Sequence, residues 1–184
     1  GTEYPVDLLI YASGFEVTTE YTHRLGFDPK GRGGTSLSEA WSSGPSTLHG
    51  VLTKGFPNMF MISTVQGAQA TNFVHSISEI ANHVTFLINR CLKDDVATVE
   101  PTDEAQEEWF QTLFGTLWGV AKYNMTCTPG YLNSEGGGAM RDNASTMRAA
   151  RSIAWMTSVM GFADYVEKWR SRGDLAGLVT TKTK

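Results

Sequence analysis

The chain opens with an apolar run that ends in a small-residue turn, reading Asp-Leu-Leu-Ile-Tyr-Ala-Ser-Gly-Phe over residues 7–15. A continuous apolar run of this length is typical of a strand that is buried on both faces, as in a parallel sheet. Because a parallel neighbour requires a crossover of roughly a dozen residues, the run predicts an α/β fold with sheet strands from outside this chain. The turn after such a strand is where open α/β sheets bind ligands.

Two more short apolar runs, Leu48–Leu52 and Met59–Ile62, predict further strands. A small, polar segment follows at 63–69. A long helix is then predicted over Phe73–Cys91, because apolar residues recur there at helical spacing and define one buried face.

The start of this helix is a candidate ligand site. Thr71 and Asn72 are residue types that cap helix N-termini. A strand, a small-residue loop and a helix start in this order can hold an anion or the polar edge of a ring. The free backbone N–H groups and the positive end of the helix dipole face such a ligand. An ordinary capped helix without a ligand is the alternative interpretation.

The second half of the chain is predicted to be mainly helical. Thr102 begins a helix over about 103–123, since acidic residues in its first turn suit the positive end of the dipole. The irregular segment 124–143 is long for a loop inside a compact domain, and such loops are usually functional or disordered. A last helical region is predicted over 145–169, and the tail 180–184 is expected to fray.

Length, charge and cysteine content narrow the function classes. The 184 residues suffice for one domain with a sizeable core. The net charge of −4 argues against a nucleic-acid partner, which requires a basic surface. No apolar stretch approaches the length that crosses a bilayer, so no membrane partner is expected. The two cysteines do not make a disulfide framework, which indicates a reducing compartment, the cytoplasm.

The sequence shows no recognisable set of residues that could catalyse a reaction on its own. His75 and His83 are about two helical turns apart, so they do not form a pair of metal ligands. The acidic cluster at 103–108 is typical of a solvated first helical turn. No nucleophile elbow is present, and we therefore predict neither a metal site nor a complete catalytic apparatus.

Five segments, in order, resemble the flavin-containing and Baeyer–Villiger monooxygenases. The opening run is similar to the family's Asp-x-x-Ile/Val-x-Ala-Thr-Gly-Phe segment, with Ser13 in place of the threonine. The other segments are 31–45, 55–60, 100–109 and 127–136. The five cover nearly the whole chain and are similar to the C-terminal third of a type I Baeyer–Villiger monooxygenase, nearest the group that acts on bulky cyclic or steroid-like ketones.

The resemblance implies the C-terminal portion of a flavoprotein with two dinucleotide-binding domains. Residues 1–15 would be a strand crossing back from the NADP domain to the FAD domain, and 16–92 would complete the FAD domain. Residues 93–184 would form a helical C-terminal part with a mobile loop at about 124–143. The N-terminal half of the enzyme, on another chain or a nicked polypeptide, would supply the active-site arginine, so no catalytic residue is expected in this chain.

The activity that the resemblance implies is insertion of one oxygen atom from O₂ into a ketone, giving an ester or lactone, with FAD and NADPH as cofactors. Carried over by position, the cofactor contacts are Gly14, Thr64, Val65, Gln66, Ala70, Thr71 and Asn72. The lid on the substrate side would comprise Thr128, Pro129, Gly130, Tyr131 and Leu132. The Gly-Pro of the small-ring enzymes is replaced here by 63–66.

Two alternatives remain open. A related flavin-containing monooxygenase that oxidises nitrogen or sulfur fits the opening segment. The Pro-Thr-Asp-Glu-Ala-Gln of 101–106 and the Thr-Pro-Gly-Tyr of 128–131 favour the Baeyer–Villiger group instead. A non-catalytic helical interaction module belongs to another class, and it predicts a stable, colourless monomer without flavin.

Overall fold

The computed structural model describes residues 1–12, 25–116, 147–148 and 150–183 of the chain. Its regular elements with defined bounds are a 3₁₀ helix (Arg32–Gly34), α1 (Leu37–Ala40), α2 (Phe73–Lys93), β1 (Val96–Pro101), α3 (Asp103–Gly115), α4 (Val159–Arg172) and β2 (Leu178–Lys182). Most of the regular structure in the described part is therefore helical, and the two strands form one small sheet.

Helix α2 confirms the helix predicted from the apolar spacing. Its N-cap is Asn72, whose side-chain oxygen accepts a hydrogen bond from the His75 N–H at 3.2 Å. The periodic apolar positions Ile80, Val84 and Leu87 are buried, and α2 packs against α4 and β1. The predicted pattern is thus the packing face of the helix.

Helix α3 confirms the second predicted helix start. The Thr102 hydroxyl accepts a hydrogen bond from the Ala105 N–H at 3.1 Å, which caps the helix. The helix buries Trp109 and Leu113. The helix ends at Gly115 with Thr116 as its C-cap, so the prediction of one helix to residue 123 is too long. Residues 117–123 lie outside the described residues.

The last predicted helical region is interrupted. Residues 153–158 are not helical, and α4 begins only at Val159, where the Ser158 side chain caps it. Helix α4 ends at Arg172 and is followed by the C-cap Gly173, whose φ of 71° is a left-handed conformation that glycine adopts without steric cost.

The sheet was not anticipated by the apolar pattern. Strands β1 and β2 pair antiparallel, with Val99 opposite Thr180 and Pro101 opposite Leu178. The tail was expected to fray, and this prediction is wrong for 180–182, because these residues form ladder hydrogen bonds with β1. Most of the β2 side chains are exposed, so the strand has no hydrophobic alternation from which it could have been predicted.

The hydrophobic core lies where the three long helices meet the loops before α2. Its buried side chains include Leu48, Leu52, Ala68, Ile80, Leu87, Val99, Trp109, Leu113, Phe162, Val166 and Trp169. The loops that precede α2 therefore pack against the helices through this core.

The predicted opening strand is wrong for residues 7–12. This segment has no regular secondary structure, and the side chains of Leu8, Leu9 and Ile10 are 75%, 62% and 76% exposed. A strand needs hydrogen-bonded neighbours as well as an apolar pattern, and none of the described residues pairs with this segment. Its assignment as a crossing between two domains stays a prediction.

The two short runs predicted as strands are also different in the structure. Leu48 and Leu52 form an antiparallel bridge with each other, so their segment is a tight turn. Met59–Ile62 is irregular. The Met59 N–H donates to the Phe56 carbonyl at 3.1 Å and the Met61 N–H to the Val51 carbonyl at 2.9 Å. Buried turns have the same apolar composition as buried strands, which is why the pattern did not separate them.

Candidate functional site

The candidate site is the loop of residues 63–72, which leads directly into α2. It contains six of the seven residues predicted to contact a cofactor. The loop has a buried half around Gln66 and an exposed end at Thr71 and Asn72. Thr64, Val65 and Ala70 are intermediate in exposure.

Gln66 is buried, with 0% of its surface exposed. Its side-chain oxygen accepts hydrogen bonds from the Thr47 N–H at 2.8 Å and the Thr47 hydroxyl at 2.7 Å. Its side-chain nitrogen donates to the Pro45 carbonyl at 2.9 Å and the Arg151 carbonyl at 2.8 Å. An amide has two donor and two acceptor positions, so this side chain is saturated and has none left for a cofactor.

The backbone next to Gln66 is fixed as well. The Gln66 N–H donates to the Ile153 carbonyl at 3.0 Å, and the Trp109 indole N–H donates to the Gln66 carbonyl at 2.9 Å. The Trp155 N–H donates to the Gly67 carbonyl at 2.8 Å. Segments 45–47 and 151–155, which are far apart in the sequence, thus anchor this part of the loop.

Two glycines allow the loop to lie directly against the turn at 48–52. A Cβ added to Gly50 would lie 2.7 Å from the Gly67 Cα, and Gly50 has a φ of +74°. Any larger residue at Gly50 would therefore displace the loop and strain its own backbone. The close approach of these two backbones fixes the position of the loop relative to the turn at 48–52.

The end of the loop is an open helix start. Thr71, Asn72, Phe73 and Val74 are exposed, and the first turn of α2 contains no acidic residue. The first N–H groups of a helix have no partner within the helix. Their partial positive charge suits an anion or an electron-rich ring edge, which is what the sequence predicted for this position.

A buried histidine pair underlies the site, and sequence reasoning missed it. His49 Nδ1 and His83 Nε2 are 3.0 Å apart and share a hydrogen bond. The His49 ring also makes edge contacts with Trp109 and Trp169, with centroids 5.0 and 5.1 Å away. A signal was present, since His83 lies among the buried apolar positions of α2. The 34-residue separation from His49 gave no indication of the pairing.

Both imidazoles are neutral in the folded protein. Burial, followed by the positive charge of Arg170, lowers the pKa of His83 to about 3. Burial lowers the pKa of His49 well below its ordinary value, with His83 and nearby arginines adding to the effect. The Nδ1 atom of His83 has no hydrogen-bond partner in the described part of the protein. The histidine pair is therefore suited to packing in the core, and protonating either imidazole would destabilise the fold.

The other predicted site residues are not described by the structure. Gly14 and the lid residues Thr128–Leu132 lie outside the described ranges, and their roles stay predictions. Within those ranges no group of three His, Cys, Asp or Glu side chains could hold a metal ion. No helix in the same ranges is long and apolar enough to cross a membrane.

The arrangement presents an exposed helix start at the end of a loop that hydrogen bonds at Gln66 and Gly67 anchor to the core. The only histidines buried within the described ranges are paired with each other, at a site covered by aromatic rings. Cofactor contact at this loop and the absence of a catalytic side chain from the chain both stay predictions.

No protein-family model matches the chain. A Baeyer–Villiger monooxygenase of Streptomyces coelicolor is 38% identical over 170 residues, which are 92% of this chain and 26% of that protein. The pentalenolactone D synthase of Streptomyces arenae is 36% identical over 182 residues, which are 97% of this chain and 29% of the synthase. The chain spans less than a third of the length of these relatives.

A solved structure has the same fold. The polycyclic ketone monooxygenase from the fungus Thermothelomyces thermophila matches with a TM-score of 0.77 and 31% identity, covering 88% of this chain and 25% of the fungal protein. The described helices and two-stranded sheet are thus similar to one portion of that monooxygenase.

Proposed function

Because this chain belongs to the Baeyer–Villiger monooxygenases, of which it matches a C-terminal part, we propose that it supplies a flavin-binding loop to an enzyme that oxygenates ketones. The enzyme inserts one oxygen atom from O₂ into a ketone and releases an ester or lactone. The observation that carries the proposal is loop 63–72, which hydrogen bonds anchor to the core and which ends in an exposed helix start with no acidic residue in its first turn.

The donor set of this loop fits a flavin. Backbone N–H groups near Thr71 and the first turn of α2 would face the electron-rich edge of the ring, where the helix dipole stabilises negative charge. Thr64, Val65, Ala70 and Asn72 would line the ring, and Gln66 would hold their backbone in place. FAD, reduced by NADPH, would supply the oxygen chemistry. This chain would bind and orient it and keep water away.

The substrate in this proposal is a bulky cyclic ketone. The name of one similar protein supports that substrate class, a polycyclic ketone monooxygenase, and the name of another, a pentalenolactone D synthase, supports a lactone product. The segment with Thr128–Leu132 would lie on the substrate side, as the family resemblance implies. The chain would act as part of a longer enzyme, with the remainder supplying the other dinucleotide-binding regions. A cytoplasmic location stays a prediction.

The experiment uses the complete enzyme, meaning this chain joined to the additional region that its relatives possess. The purified enzyme is tested for bound flavin and then supplied with NADPH, ¹⁸O₂ and a polycyclic ketone. We expect a yellow protein and an ester or lactone product that contains one ¹⁸O atom. A small cyclic ketone serves as the matched comparison and should react more slowly.

Two results would contradict the proposal. Labelled oxygen on an amine or sulfide, with no ketone product, would indicate the related nitrogen- or sulfur-oxidising monooxygenases. A folded, colourless enzyme that binds no added FAD would indicate a non-catalytic interaction module.

A further inference from the structure

The saturated side chain of Gln66 is unusual for a residue in a loop. Polar side chains in loops are mostly solvated, whereas Gln66 is 0% exposed and uses all four hydrogen-bonding positions of its amide. Its backbone φ is 54°, which is a left-handed conformation that residues with a side chain rarely adopt. A strained backbone of this kind persists only where its surroundings determine it.

The partners of Gln66 come from separate parts of the chain. Thr47 and Pro45 lie 19 and 21 residues before it, and Arg151 lies 85 residues after it. The Trp109 indole adds a contact from α3, 43 residues away. The side chain of Gln66 thus joins segment 45–47 to the segment before α4, and its backbone carbonyl adds a contact with helix α3.

Only a neutral amide of this length meets all these contacts. A glutamate cannot donate two hydrogen bonds to the carbonyls of Pro45 and Arg151, and its charge would face their oxygens. A methionine has similar length but no donor, so it would leave both carbonyls and both Thr47 donors without their partner. Buried groups left unpaired in this way disfavour the observed loop conformation.

We propose that Gln66 is a positioning residue that fixes loop 63–72 in the conformation that presents its N–H groups to the flavin. This inference rests on the proposed function. It gives Gln66 a role that does not require the residue to contact the cofactor. Loosening the loop would move the N–H donors away from the ring. Reduced flavin carries more negative charge than oxidised flavin, so its binding would be weakened more.

The test compares Gln66→Met with Gln106→Met in the complete enzyme. Gln106 is a buried glutamine of α3 whose side-chain oxygen accepts from the Lys54 N–H at 2.9 Å. The two substitutions remove the same amide from a buried position, and neither introduces a charge. Gln106 has its described hydrogen bonds with Lys54 and Thr102, outside the candidate loop.

The first readout is amide hydrogen exchange in the flavin-free enzyme, which reports the loop without depending on activity. We expect at least about tenfold faster exchange over residues 64–71 in Gln66→Met and no local change there in Gln106→Met. The second readout is the flavin reduction potential. A tenfold loss of reduced-flavin binding relative to oxidised flavin makes it more negative by about 30 mV, since the couple transfers two electrons.

A milder pair of variants keeps the proposal testable if Gln66→Met does not fold. Thr47→Val removes the hydroxyl that donates to Gln66, and Thr47→Ser retains it. We expect Thr47→Val to shift exchange and potential in the same direction by a smaller amount, and Thr47→Ser to restore both.

The proposal is overturned if Gln66→Met, or Thr47→Val in its place, behaves like Gln106→Met in exchange and potential. That result would leave Gln66 with a role in stability alone, while the wild-type enzyme still binds flavin and oxygenates ketones. Failure of the wild-type enzyme to bind flavin would instead contradict the proposed function. Loop exchange in the flavin-free protein would still decide whether Gln66 holds the loop.

Discussion

Helices α2 and α3 both begin with a side-chain cap, but their first turns carry different charges. Helix α2 is capped by Asn72 and α3 by Thr102, each through a side-chain oxygen. The first turn of α3 contains Asp103 and Glu104, and Asp103 pairs with Lys54. The first turn of α2 has no acidic residue. Helix α3 therefore neutralises its own dipole, whereas α2 leaves a positive end exposed for a ligand.

The helices also differ on their buried faces. Helix α3 buries Trp109, whose indole N–H has a partner, while α2 buries His83, whose Nδ1 has none within the described residues. An indole does not titrate in the accessible pH range, whereas an imidazole does. Helix α2 thus combines the candidate ligand site with the part of the core that is sensitive to acid.

Transferring the first turn of α3 to α2 should have the largest effect. Phe73→Asp with Val74→Glu places two carboxylates where the flavin would lie, and both native side chains are mostly exposed, at 58% and 74%. We expect binding of reduced flavin by the complete enzyme to weaken about thirtyfold, because each of the two charges opposes the negative ring by roughly 1 kcal/mol. Flavin titration followed by fluorescence measures the effect.

The control for this transfer is Phe73→Asn with Val74→Gln, which has the same shapes and no charge. It should retain flavin binding within about threefold of the wild type. Equal losses in the charged and neutral variants would attribute the effect to lost packing and contradict the electrostatic explanation.

Acid should destabilise the protein through the histidine pair. The folded-state pKa of His83 is about 3, and the unfolded value is near 6.5. Between these values the unfolded chain binds more protons, so the free energy of unfolding falls as the pH decreases below about 6.5. We expect a loss of about 2 kcal/mol from His83 between pH 7 and pH 5, measured by urea unfolding.

The variant His83→Leu isolates this contribution. It removes the titrating group and the unpartnered nitrogen while preserving an apolar face, so the pH dependence between pH 7 and pH 5 should become shallower. Parallel pH profiles for the variant and the wild type would rule out His83 as the source.

The smallest effect should come from a single charge at the two caps. Asp caps a helix about as well as Asn, so Asn72→Asp should leave stability nearly unchanged. It should weaken binding of reduced flavin about threefold, because one exposed charge at a helix start contributes roughly 0.3–1 kcal/mol. Thr102→Asp makes the matching change on α3, and flavin titration of both variants should show a loss only for Asn72→Asp.

The features that depend on nearby residues were predicted from the sequence. The caps at Asn72 and Thr102 and the buried face of α2 follow from residue type and spacing over a few turns, and the structure confirms them. The apolar run at 7–12 has the residue pattern of a strand, which is why the sequence predicts one there. A strand also needs hydrogen-bonded neighbours, and the pattern gives no information about them.

The features that depend on distant residues could not be predicted. Strand β2 is polar and exposed, and it forms only because β1 lies beside it. The partners of Gln66 are up to 85 residues away in the sequence, so the local pattern contained no sign of them. The residue was therefore predicted to contact the cofactor, whereas all hydrogen-bonding positions of its side chain are occupied within the protein. The His49 and His83 pairing depends on how α2 packs against the turn at 48–52.

The most direct test of the account is a crystal structure of the complete enzyme with FAD bound. The account predicts that backbone N–H groups from Thr71 to Val74 lie within hydrogen-bonding distance, about 3 Å, of the flavin ring. It also predicts that Gln66 keeps its four contacts beneath the loop. A flavin bound elsewhere, with the start of α2 facing solvent or another protein segment, would contradict the central claim.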